Sequence, residues 1–86
     1  MPIYYLDGYK FVAPSKREGK KYDVYKGDKK LASFGATGYS QYKDRLGYYS
    51  EYNHLDKARR ARYRKRHAGE NQRKESAGWF AWKYLW

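Results

Sequence analysis

Along the first third of the chain, apolar and polar positions alternate in short runs punctuated by turn residues. Ile3-Tyr4-Tyr5-Leu6 and Tyr9-Lys10-Phe11-Val12 flank Asp7-Gly8, a pair that tolerates the positive φ angles of a tight hairpin turn. After an expected exposed loop from Pro14 to Lys20, Lys21–Lys26 and Lys29–Phe34 flank Gly27-Asp28 and predict a second hairpin. Tyr22, Val24, Leu31 and Phe34 are its candidate core positions. Residues 1–34 are therefore expected to form two β-hairpins.

The period then changes. Between residues 39 and 52, Tyr39, Tyr42, Leu46, Tyr49 and Tyr52 recur at intervals of three or four, as on one face of a helix. Gly47 and the many tyrosines oppose helix formation, so a short helix and an ordered loop both remain open. From Asn53 the helical pattern strengthens. Asn53 is the expected N-cap, Asp56 stands in a capping-box-like position, and Gly69 supplies an expected stop. The predicted basic helix spans 53–68. Glu70 to Glu75 reads as a polar linker. In the segment 76–86, Ser76 can cap a short helix whose Trp79, Trp82 and Trp86, at i, i+3 and i+7, form one apolar stripe.

These elements predict a single α+β domain over 1–86, with a small antiparallel sheet of two hairpins, a basic α-helix and a short Trp-rich C-terminal helix. Eighty-six residues bury only a thin core. Twelve Tyr, three Trp and three Phe compensate with large, nearly rigid side chains, and a tyrosine hydroxyl tolerates a wet edge. A tyrosine-walled core follows, with Trp79, Phe80, Trp82 and Trp86 as expected anchors of the fold or of a neighbouring subunit.

Charge sharpens the picture. Residues 1–53 carry ten Lys/Arg against six Asp/Glu, while residues 54–86 carry ten against three. Within 57–66 lie Lys57, Arg59, Arg60, Arg62, Arg64, Lys65 and Arg66, and no acid. Arg60 and Arg64, like Arg62 and Arg66, repel at i, i+4, so the helix is expected to find its counter-charge on another molecule. Arginine outnumbers lysine there, which suits bidentate contact with phosphate or carboxylate. Nothing on this helix resembles a base-reading code. Tyr48, Tyr49, Tyr52 and Tyr63 lie near the cations and would serve either as core or as stacking platforms for bases.

Catalytic chemistry finds no constellation. His54 and His67 are thirteen residues apart along the predicted helix, roughly 20 Å, too far to share a metal. Ile3-Tyr4-Tyr5 faintly resembles the opening of the GIY-YIG nuclease motif, but Tyr9-Lys10-Phe11 stands where Tyr-Ile-Gly is required. Gly35-x-x-Gly38 has the spacing of a phosphate-cradling loop without the flanking helices. We therefore expect a non-enzymatic protein with no cofactor, no bound metal and no small-molecule substrate. Absence of Cys fits a reducing compartment, no secretory leader is visible at the start, and the apolar run near Trp79–Trp86 is too short to span a bilayer.

From Lys21 to Trp86 the chain resembles a group of small basic proteins encoded by large DNA viruses of the chlorovirus, mimivirus and marseillevirus kind. The resemblance rests on an ordered succession. It begins with Ser33-Phe34-Gly35, Gly38-Tyr39 and Tyr42-Lys43-Asp44, and continues through Arg60–Tyr63, Arg66-His67 and Asn71. It ends with Ser76-Ala77-Gly78-Trp79-Phe80, Trp82 and Leu85-Trp86. Ser76 stands where threonine is expected, a mild change because both can cap. The resemblance implies a virion or infected-cell setting. It also implies a minor capsid or internal packaging protein, whose partners are capsid or other virion proteins, nucleic acid, or both.

Overall fold

The computed structural model describes residues 2–86; Met1, the first residue of the expected hairpin segment, lies outside them. Strands β1 (Ile3–Leu6), β2 (Tyr9–Val12), β3 (Lys20–Lys26) and β4 (Lys29–Ala36) form one antiparallel meander in the order β1-β2-β3-β4. Helix α1 (Lys57–Arg66) and helix α2 (Ala77–Tyr84) follow, with single 3-10 turns at Ser50–Tyr52 and Glu70–Gln72. This is the α+β architecture the alternation predicts.

The first hairpin turns through Asp7 (φ 55) and Gly8 (φ 84), the two left-handed residues that a type I′ turn requires. Register follows: Leu6 faces Tyr9 and Ile3 faces Val12. The pleat then sorts the side chains. Tyr9, Phe11, Tyr22, Val24 and Phe34 point to one face, and α2 lays Phe80 and Tyr84 across them, with Leu85 beyond. Phe11 meets Tyr84 edge-on at 4.8 Å, Tyr9 meets Phe80 at 5.1 Å, and Phe34 stacks on Phe80 at 5.6 Å. Of the four expected core positions, Leu31 is only half-buried.

The tryptophan stripe needs correction. Ser76 does cap α2, accepting from the Trp79 N–H at 3.1 Å, but the helix turns Phe80 and Tyr84 inward. Trp79, Trp82 and Trp86 lie half-buried at its margins. The i, i+4 pair Phe80/Tyr84 faces the sheet because Tyr84 can reach Asp7 Oδ2 at 2.8 Å with its hydroxyl, so its polar tip is satisfied at the core's edge.

Strand β3 is covered on both faces, so Lys21, Tyr22, Asp23 and Val24 are all buried. Asp23 accepts from Ser15, from Ser33 Oγ at 2.6 Å and from the Lys16 N–H at 3.0 Å, with Lys30 Nζ at 3.4 Å. Burial alone would raise its carboxyl pKa, but these donors together bring it below the usual range. Lys21 is 2% exposed, and its ammonium donates to the Tyr39 carbonyl at 2.8 Å and to Gln41 Oε1. Burial pushes its pKa down, partly opposed by the Asp44 charge.

Residues 37–49 form an ordered loop rather than a helix. Side chains take the backbone's partners and leave helix no advantage. Asn53 Oδ1 accepts from the Asp44 N–H and from Gln41 Nε2, both at 2.7 Å. Asp44 in turn accepts from the N–H groups of Leu46 and Tyr49, both at 2.9 Å, and from the Tyr22 hydroxyl. The loop is tied to the end of α2 by Lys43 N–H to Leu85 O and Arg45 N–H to Tyr84 O, both 3.0 Å. Among the described residues no helix is long and apolar enough to cross a membrane.

Candidate polyanion-binding surface

Helix α1 begins later than the sequence predicts. Its N-cap is Asp56, which accepts from the N–H groups of Ala58 (2.9 Å) and Arg59 (3.2 Å); Asn53 is instead committed to the loop. The Arg59 and Ala58 amides, with Arg62 nearby, hold the Asp56 carboxyl below its ordinary pKa. His54 also lies outside the helix, accepting from the Asp56 N–H at Nδ1 (2.9 Å). Burial and the Arg59 charge keep its pKa low. The helix ends with His67 as C-cap, two residues before Gly69 takes its left-handed conformation at φ 95.

No residue of α1 is buried, and the helix docks along one line of side chains. Tyr63 stacks flat on Trp86, with ring centroids 4.1 Å apart and planes 3° apart, and on its other side meets His67 at 4.1 Å. Arg60 lies over the Tyr42 ring at 4.2 Å. Arg64 lies over Trp82 at 5.2 Å and donates to the Trp86 main-chain oxygen at 2.9 Å. Trp86 also meets His54 at 5.2 Å, so both histidines flank one aromatic stack instead of sitting thirteen residues apart along a single helix.

The seven predicted cations therefore divide into two sets. Arg60 and Arg64 are half-buried and face the domain. Lys57, Arg59, Arg62, Lys65 and Arg66 are exposed. Among the described residues, none of the seven lies within ion-pair distance of an Asp or Glu side chain, since the acids near α1 are engaged elsewhere. Asp56 caps the helix, and Glu70 sits 2.8 Å from His67 Nδ1. Among the described residues no Asp or Glu side chain thus relieves the mutual repulsion at i, i+4, and Arg64 has only the Trp86 main-chain oxygen at 2.9 Å.

The tyrosines proposed as stacking platforms also divide. Tyr49 packs against Tyr22 at 5.3 Å, and both faces of Tyr63 are covered. Tyr48 and Tyr52 remain exposed. Among the described residues no group of three or more His, Cys, Asp or Glu is arranged to hold a metal ion.

Residues 11–67 match the profile of a family described as Family of unknown function (DUF5754), a span that runs from β2 through the whole of α1. No curated protein and no solved structure gives a match.

Proposed function

We propose that this chain, which belongs to that family of unknown function, is a non-enzymatic architectural protein that grips nucleic-acid phosphates through the outward face of α1. One observation carries the reading: a ten-residue helix bears seven cations, and among the described residues none has an Asp or Glu side chain within ion-pair reach. A row of like charges at helical spacing weakens the free helix; a polyanion alongside turns that repulsion into attraction. Asp56 and the Tyr63–Trp86 stack hold the helix in place before any partner arrives, so little ordering entropy opposes binding.

Recognition would be of the backbone. The sequence of α1 contains no Asn or Gln that could pair with an adenine edge, and its outward arginines suit the bidentate geometry of phosphate oxygens. The viral resemblance makes a packaged genome the expected duplex and a particle the expected setting.

Titration of random duplex DNA across a salt series tests this. Five outward cations should give a slope of log affinity on log salt of about −4 to −5, independent of sequence. Weak binding at low salt, or a flat salt response, would remove the nucleic-acid reading. Quantifying the protein in purified particles tests the setting separately, and its absence from them would remove the virion role.

A further inference from the structure

Behind the outward face of α1 lies a cleft of about 530 Å³, bounded by the end of β4, the 39–41 loop, α1 and α2. That volume falls in the range of roughly 300–1,000 Å³ usual for small-molecule sites. Two glycines let neighbouring side chains pack closely within its wall. A Cβ on Gly35 would lie 2.9 Å from Leu85 Cδ1, and one on Gly78 would lie 2.6 Å from Glu70 Oε1.

The lining is one-sided in charge. Arg59 and Arg66 enter from α1 and Lys20 from β3, and among the described residues none is paired with a carboxylate. Glu70 is the single acid of the lining, and it faces His67 at 2.8 Å. Of the aromatic rings in the lining, Phe34, Tyr63 and Trp86 are packed against other rings. Tyr39 is different. The residue is 71% exposed and its ring meets no other aromatic ring among the described residues, while its carbonyl accepts from Lys21 Nζ at 2.8 Å. Arg59 Nη2 lies 3.3 Å from Ser40 Oγ, the residue next to Tyr39, and both Arg59 and Tyr39 line the cleft.

We propose that this cleft binds one unpaired nucleotide, its base stacked on Tyr39 and its phosphate held by Arg59 within the field of Arg66 and Lys20. An aromatic face takes any base, because every base has a π-face, and the adjacent guanidinium supplies the phosphate contact. The ligand is either a free nucleoside monophosphate or an unpaired position of a strand already lying along α1. The inference shares Arg59 and Arg66 with the proposed nucleic-acid surface, but it stands on Tyr39, which that surface does not use. It departs from the expectation that the chain takes no small-molecule ligand.

Calorimetric titration of the full chain with adenosine monophosphate, inorganic phosphate, a single-stranded oligo-dA and a blunt duplex tests it. The monophosphate should bind saturably and about tenfold more tightly than inorganic phosphate, and Tyr39→Ala should weaken it about tenfold, as loss of one base–aromatic stack implies. Duplex affinity should stay unchanged in Tyr39→Ala. Binding of the oligonucleotide as well as the monophosphate assigns the site to a strand; binding of the monophosphate alone assigns it to a free nucleotide. Equal affinity for monophosphate and inorganic phosphate, or indifference of both nucleotide ligands to Tyr39→Ala, overturns the proposal. If duplex binding fails while monophosphate binding persists, the proposed function falls and the cleft stands.

Discussion

Tyr63 and Trp86 lie face to face with ring centroids 4.1 Å apart and planes 3° apart, and this stack joins the basic helix to the C-terminal segment beyond α2. An isolated ten-residue helix is marginal in water, and one with arginines repelling at i, i+4 is worse. Trp86→Ala should therefore do more than its burial implies. The global cost should be about 1–3 kcal/mol. Amide exchange should show protection lost first and most deeply in residues 60–67, with the sheet still guarded. Protection of α1 equal to wild type in this variant would mean that the stack is incidental.

The α2 side chains differ in what they hold. Phe80 is fully buried among Tyr9, Phe11, Phe34 and Tyr84, so Phe80→Ala should cost about 3–5 kcal/mol in chemical denaturation. A thin core has little in reserve, so Phe80→Leu, costing about 1–2 kcal/mol, gives a folded variant for the same comparison. Trp82 is half-buried under the Arg64 guanidinium, and Trp82→Ala should cost less than Phe80→Ala, about 1 kcal/mol. Reversal of that order would place Trp82 in the core.

Where the chain's own local chemistry decided the structure, the sequence was readable. Asp7-Gly8 and Gly27-Asp28 punctuated two hairpins, Ser76 announced α2, and the run Lys57–Arg66 announced α1. What could not be read depends on residues distant in sequence. Asn53 looked like a helix cap because the pattern after it is helical, but its side chain is claimed by Gln41 and Asp44. Lys21 and Asp23 are not among the candidate core positions of the alternation, but Ser15, Ser33, Tyr39 and Gln41 roof that face and bury them. The three-and-four spacing of Tyr39, Tyr42, Leu46, Tyr49 and Tyr52 imitates a helix face, but only Leu46 and Tyr49 pack against the core, while Tyr39 and Tyr52 are exposed on the loop. The division of the arginines into docking and outward sets was invisible without the position of Trp86 and Tyr42, neither of which lies on the helix.

Alkaline titration should unfold the protein. Burial raises the phenolic pKa of Tyr9, helped by its hydrogen bond to Glu75, from 10.0 to about 12. Burial and the Glu70 charge, opposed by Arg66, raise that of Tyr63 to about 12, and Tyr22, Tyr49 and Tyr84 move in the same direction. In each case the unfolded chain releases its proton first, so the folded state binds more protons above pH 10. Stability should be full below pH 10 and fall steadily as pH rises through 12. Tyrosinate absorbance and circular dichroism recorded together should show several tyrosines ionising only as secondary structure is lost. Free ionisation of all twelve near pH 10, with the fold intact, would contradict the burial.

Charge reversal on α1 should separate grip from scaffold. Arg60 lies on Tyr42 and Arg64 on Trp82 with a hydrogen bond to the Trp86 main chain, so reversing these two removes docking contacts as well as charge. Arg60→Glu with Arg64→Glu is expected to lower thermal stability and loosen α1, and any loss of DNA affinity would be confounded by that loosening. Arg62 and Lys65 are exposed and make no such contact among the described residues. Arg62→Glu with Lys65→Glu should leave the melting curve nearly unchanged, because exposed substitutions of this kind stay within about 0.5 kcal/mol each. The same variant should cut duplex affinity sharply at low salt and flatten the salt slope by about 2, one counterion step for each cation removed. The new carboxylate at position 62 lies at helical spacing from Arg59 and Arg66, where it would relieve repulsion, whereas the one at 65 has no remaining arginine three or four residues away. A variant that is as stable as wild type, or more so, and no longer binds DNA would show that these cations serve a partner at the helix's own expense. Undiminished binding would mean that the outward face of α1 is not the surface that holds the duplex.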